Sequence, residues 1–364
     1  MADKVDQAVI DEFRRGSLLL DKLLFDNAVS PGTGGSTLTY GYVKLKTPST
    51  AGFRAINGEY NNNEAKREKC SADLKIFGGN FKIDRVLINT SGAVDELDFQ
   101  MKEKIKGAIN LFHNTVINGN SNVNELEFDG LDVLVAGSST EYNVDGEVDL
   151  SSSAEMDKNY QTFLDKMDEF VSKMQGKPTL FLGNSKLITK IKGIARRAGY
   201  YTKAEDAFGR SIDMWDNIPL VDLEEYYDGT KTTPCVQIDE NGMTSLYAVQ
   251  IAKDGFHGVS PTGDNLISTC LPNLKEPGTV KEGDVEMVAA VVLKNTLKAG
   301  VFRNIKVAPN AISTFSLEFP EEKTIDNMTK SELVAYAEAN NIEIDQSANK
   351  GTILTVIKEA AKIE

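Results

Sequence analysis

The chain has 364 residues, 41% of them hydrophobic, and a formal net charge of −14. That length and apolar content support two or three modest domains, or one elaborated domain, without disulfides. The acidic balance excludes a chain that grips nucleic acid over its whole surface, and three widely spaced cysteines (Cys70, Cys235, Cys270) exclude a disulfide framework or thiolate zinc site and suit a reducing, cytoplasmic place of folding.

Taken in chain order, the start MADKVDQAVIDEF is charged and lacks the apolar core of a signal peptide. Residues 4–25 read as an amphipathic helix, with Val5, Val9, Phe13, Leu20 and Leu24 roughly on one side. The run Ser30–Ser36 is a Gly-rich linker. Leu38, Tyr40 and Tyr42 open a strand that Thr47–Pro48 breaks, Phe53–Tyr60 can resume extended structure, and Ala72–Ile83 forms the returning strand. The stretch between the strands is too long for an ordinary hairpin loop and points to a functional arm. Lys44 to Arg85 holds nine Lys/Arg against five Asp/Glu, so a segment of charge +4 sits on a remainder of −18. A basic arm on an acidic body suits self-association.

The strongest helical pattern is Val94, Leu97, Met101, Ile105, Ala108, Ile109, Phe112 and Val116, with Ser91 or Asp95 as a start cap and Asn118–Gly119 as its end. At ~1.5 Å per residue this helix is about 35 Å long. A polar, turn-rich stretch follows over 124–154, with Leu131–Ala136 as a short strand. Residues 155–175 form a second amphipathic helix, Thr179–Leu182 a buried strand, and Ser185–Arg197 a basic helix. Strands are then expected at Ile218–Val221, Cys235–Ile238, Ser245–Ile251, Val285–Leu293 and Ala299–Val307, giving an α+β chain with a mixed sheet. Past Pro320 a linker leads into a separate pattern of two short helices, around Leu333–Ala339 and Lys350–Ile363. No apolar run approaches the roughly 18–20 residues that span a bilayer.

Motifs that carry chemistry are few. Gly32–Thr37 lacks the lysine and the preceding buried strand of a phosphate loop. Leu182–Lys186 follows a strand and opens a helix, but without the full glycine spacing it reads as a capped turn. His113 and His257 are the only histidines, and neither has the local signature of a triad base. Asp145–Asp149 lacks the spacing and closing glutamate of a calcium loop, and Trp215, the only tryptophan, reads as packing. No catalytic, cofactor-binding or metal-binding residues are expected.

Four stretches, Leu20–Asp26, Leu38–Tyr42, Phe53–Tyr60 and Phe77–Val86, together with the long helix, resemble the N-terminal half of tailed-bacteriophage major capsid proteins, whose fold is named after phage Hong Kong 97. The resemblance covers about residues 4–308. It implies an N-terminal arm (1–36), an extended loop (37–85), a spine helix and peripheral domain (86–154, completed by 284–308) and an axial domain (155–283). A linker (309–327) then leads to a small α-helical module (328–364) similar to SAP/LEM-like helix–extended–helix units. Its four lysines against six acids speak against DNA binding by that module.

The function implied is a major capsid protein that self-assembles, as pentamers and hexamers, into an icosahedral shell around double-stranded DNA, without sequence-specific contact to it. Each loop would lie on a neighbour, with Arg54, Lys66, Arg67, Lys69 and Arg85 meeting acids there. Separate scaffold, portal and decoration proteins would be the other partners. Assembly would take place in the bacterial host cytoplasm and end in the virion, with no membrane involved. An encapsulin-like compartment shell is the alternative on the same fold, and a carboxylate-dependent enzyme is a third reading.

Overall fold

The structure is a computed structural model that describes residues 17–29, 35–47, 49–60, 64–86, 96–199, 202–205, 211–261, 267–270, 272, 277–309, 330, 333–334, 337, 342 and 348–361. The chain divides into two units, Met1–Asn310 and Ala311–Glu364. The expected helix over 4–25 lies mostly outside the described residues, which hold its last part as the short helix Leu18–Lys22.

Two sheets organise the larger unit. The first is built on the long strand Val280–Leu293, whose alternating burial over its first half marks one face toward the core. The strand Lys75–Asp84 pairs with it antiparallel over ten residues, from Lys75 opposite Ala289 to Asp84 opposite Val280. Ile267–Cys270 and Phe256–Ser260 also pair with it, and Phe25–Asn27 adds to Phe256–Ser260 in parallel. The second sheet has eight strands, with Ala299–Lys306, Met243–Val249, Leu180–Gly183 and Ile218–Asp222 at its centre. Period-two alternation divides its two faces. Leu180, Leu182 and Val249 join the core of the spine helix and first sheet, while Phe181, Ala248 and Phe302 pack beneath the helices Ser153–Ser172 and Ser185–Ala198. Trp215 is buried in that second core, edge-on to Phe163.

The spine helix runs Glu96–Asn118 and buries Ile105, Ile109, Phe112 and Val116 along one stripe. Its expected start caps lie outside the described residues. It ends where Gly119 closes on Thr115 at 2.9 Å, and a Cβ at Gly119 would fall 2.3 Å from the Phe128 carbonyl oxygen, so only glycine fits.

Three local expectations are corrected. Leu131–Val135 is a helical turn, not a strand, because Leu131 and Val135 one turn apart are the residues that reach the core. Cys235–Ile238 is irregular; the strand there is Thr232–Pro234, paired with Glu225–Tyr227. The returning strand is two strands, Lys66–Asp73 and Lys75–Asp84, separated at buried Leu74. Sheet membership also crosses the expected division. Ala299–Lys306 pairs in the eight-stranded sheet beside Met243–Val249, whereas Phe256–Ser260 and Ile267–Cys270 sit with the long strand. In the C-terminal unit, Leu333, Ala337, Ile353 and Ile357 form a small core of their own, with the helix Lys350–Ala361 contributing two of them.

Candidate assembly interface

The feature that stands off the body is a two-stranded ribbon. Thr39–Thr47 pairs with Lys66–Asp73, register running from Thr39 opposite Asp73 to Thr47 opposite Lys66, with an irregularity after Leu45. No third strand joins it among the described residues. An isolated ribbon of this kind is marginally stable in water, so its root must be fixed. Tyr40, Tyr42 and Ala72, all on one face, pack against the main core. The Tyr40 hydroxyl donates to Asp26 Oδ2 at 2.8 Å and accepts from Lys294 Nζ at 2.8 Å. The same lysine lies 5.2 Å from the Tyr40 ring centroid, and Lys253 Nζ is 3.4 Å from Asp26 Oδ1. Partial burial pushes the Asp26 carboxyl up, but the Tyr40 hydroxyl and the Lys253 ammonium outweigh it and hold the group below its ordinary value. Burial and the Asp26 carboxylate raise the Tyr40 hydroxyl well above its usual range, so it stays a donor.

The far end of the ribbon is apolar. Phe53 is 109% exposed, Ile56 93% and Tyr60 66%. A turn closes from Gly58 N–H to the Ala55 carbonyl at 3.0 Å, with Asn57 in the left-handed region. Arg54 does not reach outward. Its guanidinium covers the Tyr60 ring at 5.4 Å and donates to the Gly58 carbonyl at 3.3 Å, stapling the tip.

The other four basic residues singled out in the sequence are exposed, and none forms an ion pair among the described residues. They do not make one patch. Arg67 and Lys69 share a ribbon face with Val43; Lys66, one residue away, points to the opposite face with Tyr42 and Cys70. Arg85 lies beyond the end of Lys75–Asp84, where its N–H donates to the Thr279 carbonyl. Sequence reasoning singled out the basic residues and passed over the exposed apolar tip, although Phe53, Ile56 and Tyr60 at a polar turn were its signal.

A cavity of about 660 Å³ opens beside the spine helix, between Glu103–Asn110 and the strand pair Glu225–Tyr227/Thr232–Pro234. Its wall carries four carboxylates, from Glu103, Asp222, Glu224 and Glu225, and one cation, Lys106.

The histidines are structural. Fully buried His113 accepts the Ser17 hydroxyl at Nε2 (2.6 Å) and donates from Nδ1 to the Leu223 carbonyl (3.1 Å), and burial pushes its pKa down to about 4. His257 is buried in its strand, also with a lowered pKa, and donates from Nδ1 to the Gly255 carbonyl at 3.2 Å. Burial and nearby carboxylates push the Cys235 thiol up to about 12, which disables it as a nucleophile. Among the described residues no group of three or more His, Cys, Asp or Glu is placed to hold a metal ion, and no helix is long and apolar enough to cross a membrane.

No protein-family model matches the sequence, and no curated protein does. Solved structures do match. A cryo-EM structure of the holo-SrpI encapsulin complex from Synechococcus elongatus aligns at a TM-score of 0.54 and 15% identity, covering 79% of this chain and 87% of that one. A structure from Mycobacterium phage Bobi aligns at 0.49 and 12% identity over 81% and 87%, and the mature capsid of bacteriophage PhiM1 at 0.48 and 11% over 80% and 88%. With the spine helix, the long-strand sheet and the projecting ribbon in place, the chain has the Hong Kong 97-like fold of phage capsid proteins and encapsulins.

Proposed function

We propose that the chain is a shell subunit, the major capsid protein of a tailed double-stranded DNA phage or prophage, which self-assembles into an icosahedral shell enclosing the genome. The observation that carries the reading is the ribbon: in a chain of this fold, an arm fixed at its root ends in fully exposed Phe53 and Ile56. An apolar tip held in water is a contact surface, and another copy is the partner the fold suggests. Burying each of these side chains contributes about 1.5–3 kcal/mol, whereas a surface ion pair contributes about 0–1 kcal/mol. The tip therefore anchors the contact and the lysines and arginines orient it. In this reading residues 1–36 are the arm, the ribbon is the intersubunit loop, and the first and second sheets are the cores of the peripheral and axial regions.

The test is to replace residues 45–67 by Asn-Gly, joining Lys44 to Glu68, which face each other in the ribbon. Electron microscopy of the purified wild type should show closed shells. The shortened chain should give folded, unassembled subunits, and normal shells from it would sink the reading. The replacement must spare Lys75–Asp84, since that strand belongs to the body's first sheet.

An encapsulin-like compartment is the second reading, favoured by the encapsulin match above a TM-score of 0.5. The separate unit Ala311–Glu364, an addition of the kind phage proteins carry, favours the phage reading. The contents of purified shells decide: packaged double-stranded DNA supports the phage head, and a co-purifying enzyme supports the compartment.

A further inference from the structure

The acidic cavity beside the spine helix has the chemistry of a receptor for cations. Among the described residues, none of its four carboxylates makes an ion pair within the chain. Partial desolvation in the wall, reinforced by the Glu225 charge, raises the Asp222 carboxyl above its ordinary value, although the Glu224 N–H donates to Asp222 Oδ1 at 3.0 Å. A second, independent sign is Asn110 on the same wall: its side-chain oxygen is buried and has no donor. The open wall thus presents carboxylate acceptors and an excess of negative charge, with the Asn110 oxygen unmet behind it. Tyr226 and Tyr227 on the wall add aromatic faces suited to a guanidinium or ammonium.

The ribbon offers the complement. Arg67 and Lys69 sit two residues apart on one face, roughly 6–7 Å along the strand, and form no ion pair in their own chain among the described residues. We propose that this cavity is the docking site for the Arg67/Lys69 face of the ribbon of a second copy of this chain. The proposal rests on the self-assembly reading above and adds the receptor to it. Arginine and lysine supply donors only, so they match a wall short of donors. The acid-rich walls of the cavity would also repel a wrongly registered ribbon that presented Glu68, on the opposite face, to them.

Charge reversal tests it. Arg67→Glu with Lys69→Glu, and separately Glu224→Lys with Glu225→Lys, should each lower shell yield at least tenfold while the subunit's near-ultraviolet circular dichroism stays unchanged. All four substitutions in one chain should restore shells. In wild-type shells, zero-length carbodiimide coupling should join Lys69 to Glu224 or Glu225 of another copy, read by mass spectrometry. Reversed variants that assemble like the wild type, or wild-type shells without that crosslink, overturn the inference and leave the shell function standing. Loss in both pairs without rescue in the quadruple variant also overturns it. A wild-type protein that forms no shells under any condition overturns the function itself.

Discussion

His113 shows how one residue couples distant parts of the chain. It ties Ser17, ahead of the first described helix, and Leu223, at the end of a central strand, to the spine helix. The Ser17 bond needs the neutral ring, since Nε2 must accept; the Leu223 bond would survive protonation, and burial is what keeps the ring neutral. An unfolded imidazole titrates near 6.5, the buried one at about 4, so between these values the unfolded chain takes up a proton that the folded chain refuses. Stability from this group is complete above about pH 6.5 and falls by about 3 kcal/mol as pH drops to 4. His257 acts in the same direction. Urea midpoints at pH 7 and pH 4.5 should diverge more for the wild type than for His113→Gln. Gly78 is a second single-residue constraint: its φ is 155° and a Cβ would lie 2.0 Å from the Val285 carbonyl oxygen. Gly78→Ala should cost roughly 3 kcal/mol, read as a lower melting temperature of the unassembled subunit. At the ribbon tip, Phe53→Ser with Ile56→Ser should leave that melting temperature unchanged, because both side chains are already in water. The same pair should raise the concentration needed for assembly at least tenfold, more than Lys66→Ser does.

Among the elements, the helix Ser185–Ala198 was legible to within a residue of its end. Asn184 caps it through the Leu187 N–H at 2.9 Å, Gly199 ends it in the left-handed region, and Leu187, Ile191 and Ile194 keep helical spacing. The cap does more than its sequence position reveals. Buried Asn184 also donates to the Val236 carbonyl and the Thr244 hydroxyl, binding the helix start to two other segments. Asn184→Ala should therefore cost about 2 kcal/mol, a lost cap plus buried acceptors left unmet, measured by chemical denaturation. Leu131–Val135 was misread because Val133 and Val135 among leucines look like a strand when the contact with the core is unknown. Sheet membership was unreadable for a similar reason: buried strands such as Phe256–Ser260 and Ala299–Lys306 carry the same apolar pattern whichever sheet receives them.

For the whole molecule, the fold was legible because its most distinctive described parts, the ribbon and the spine helix, follow each other in sequence. The cavity was not, since Glu103, Ser185 and Asp222–Pro234 meet only after folding. The basic residues were visible, but strand alternation, which splits Lys66 from Arg67 and Lys69, becomes definite only once the register is known. The C-terminal unit has its own core of Leu333, Ala337, Ile353 and Ile357. Ending the chain after Pro320 should accordingly leave the larger unit folded and its shells intact by electron microscopy; absence of shells would assign that unit a structural part. The ten-residue ladder between Lys75–Asp84 and the long strand has a mechanical consequence. Only Leu74 separates the ribbon from it, so a tug on the loop enters at Lys75 and runs along the strand axis. The ladder is then loaded in shear, its hydrogen bonds resisting together instead of parting one by one, and a subunit pulled by its neighbour's grip should yield at the docked tip before its own sheet tears.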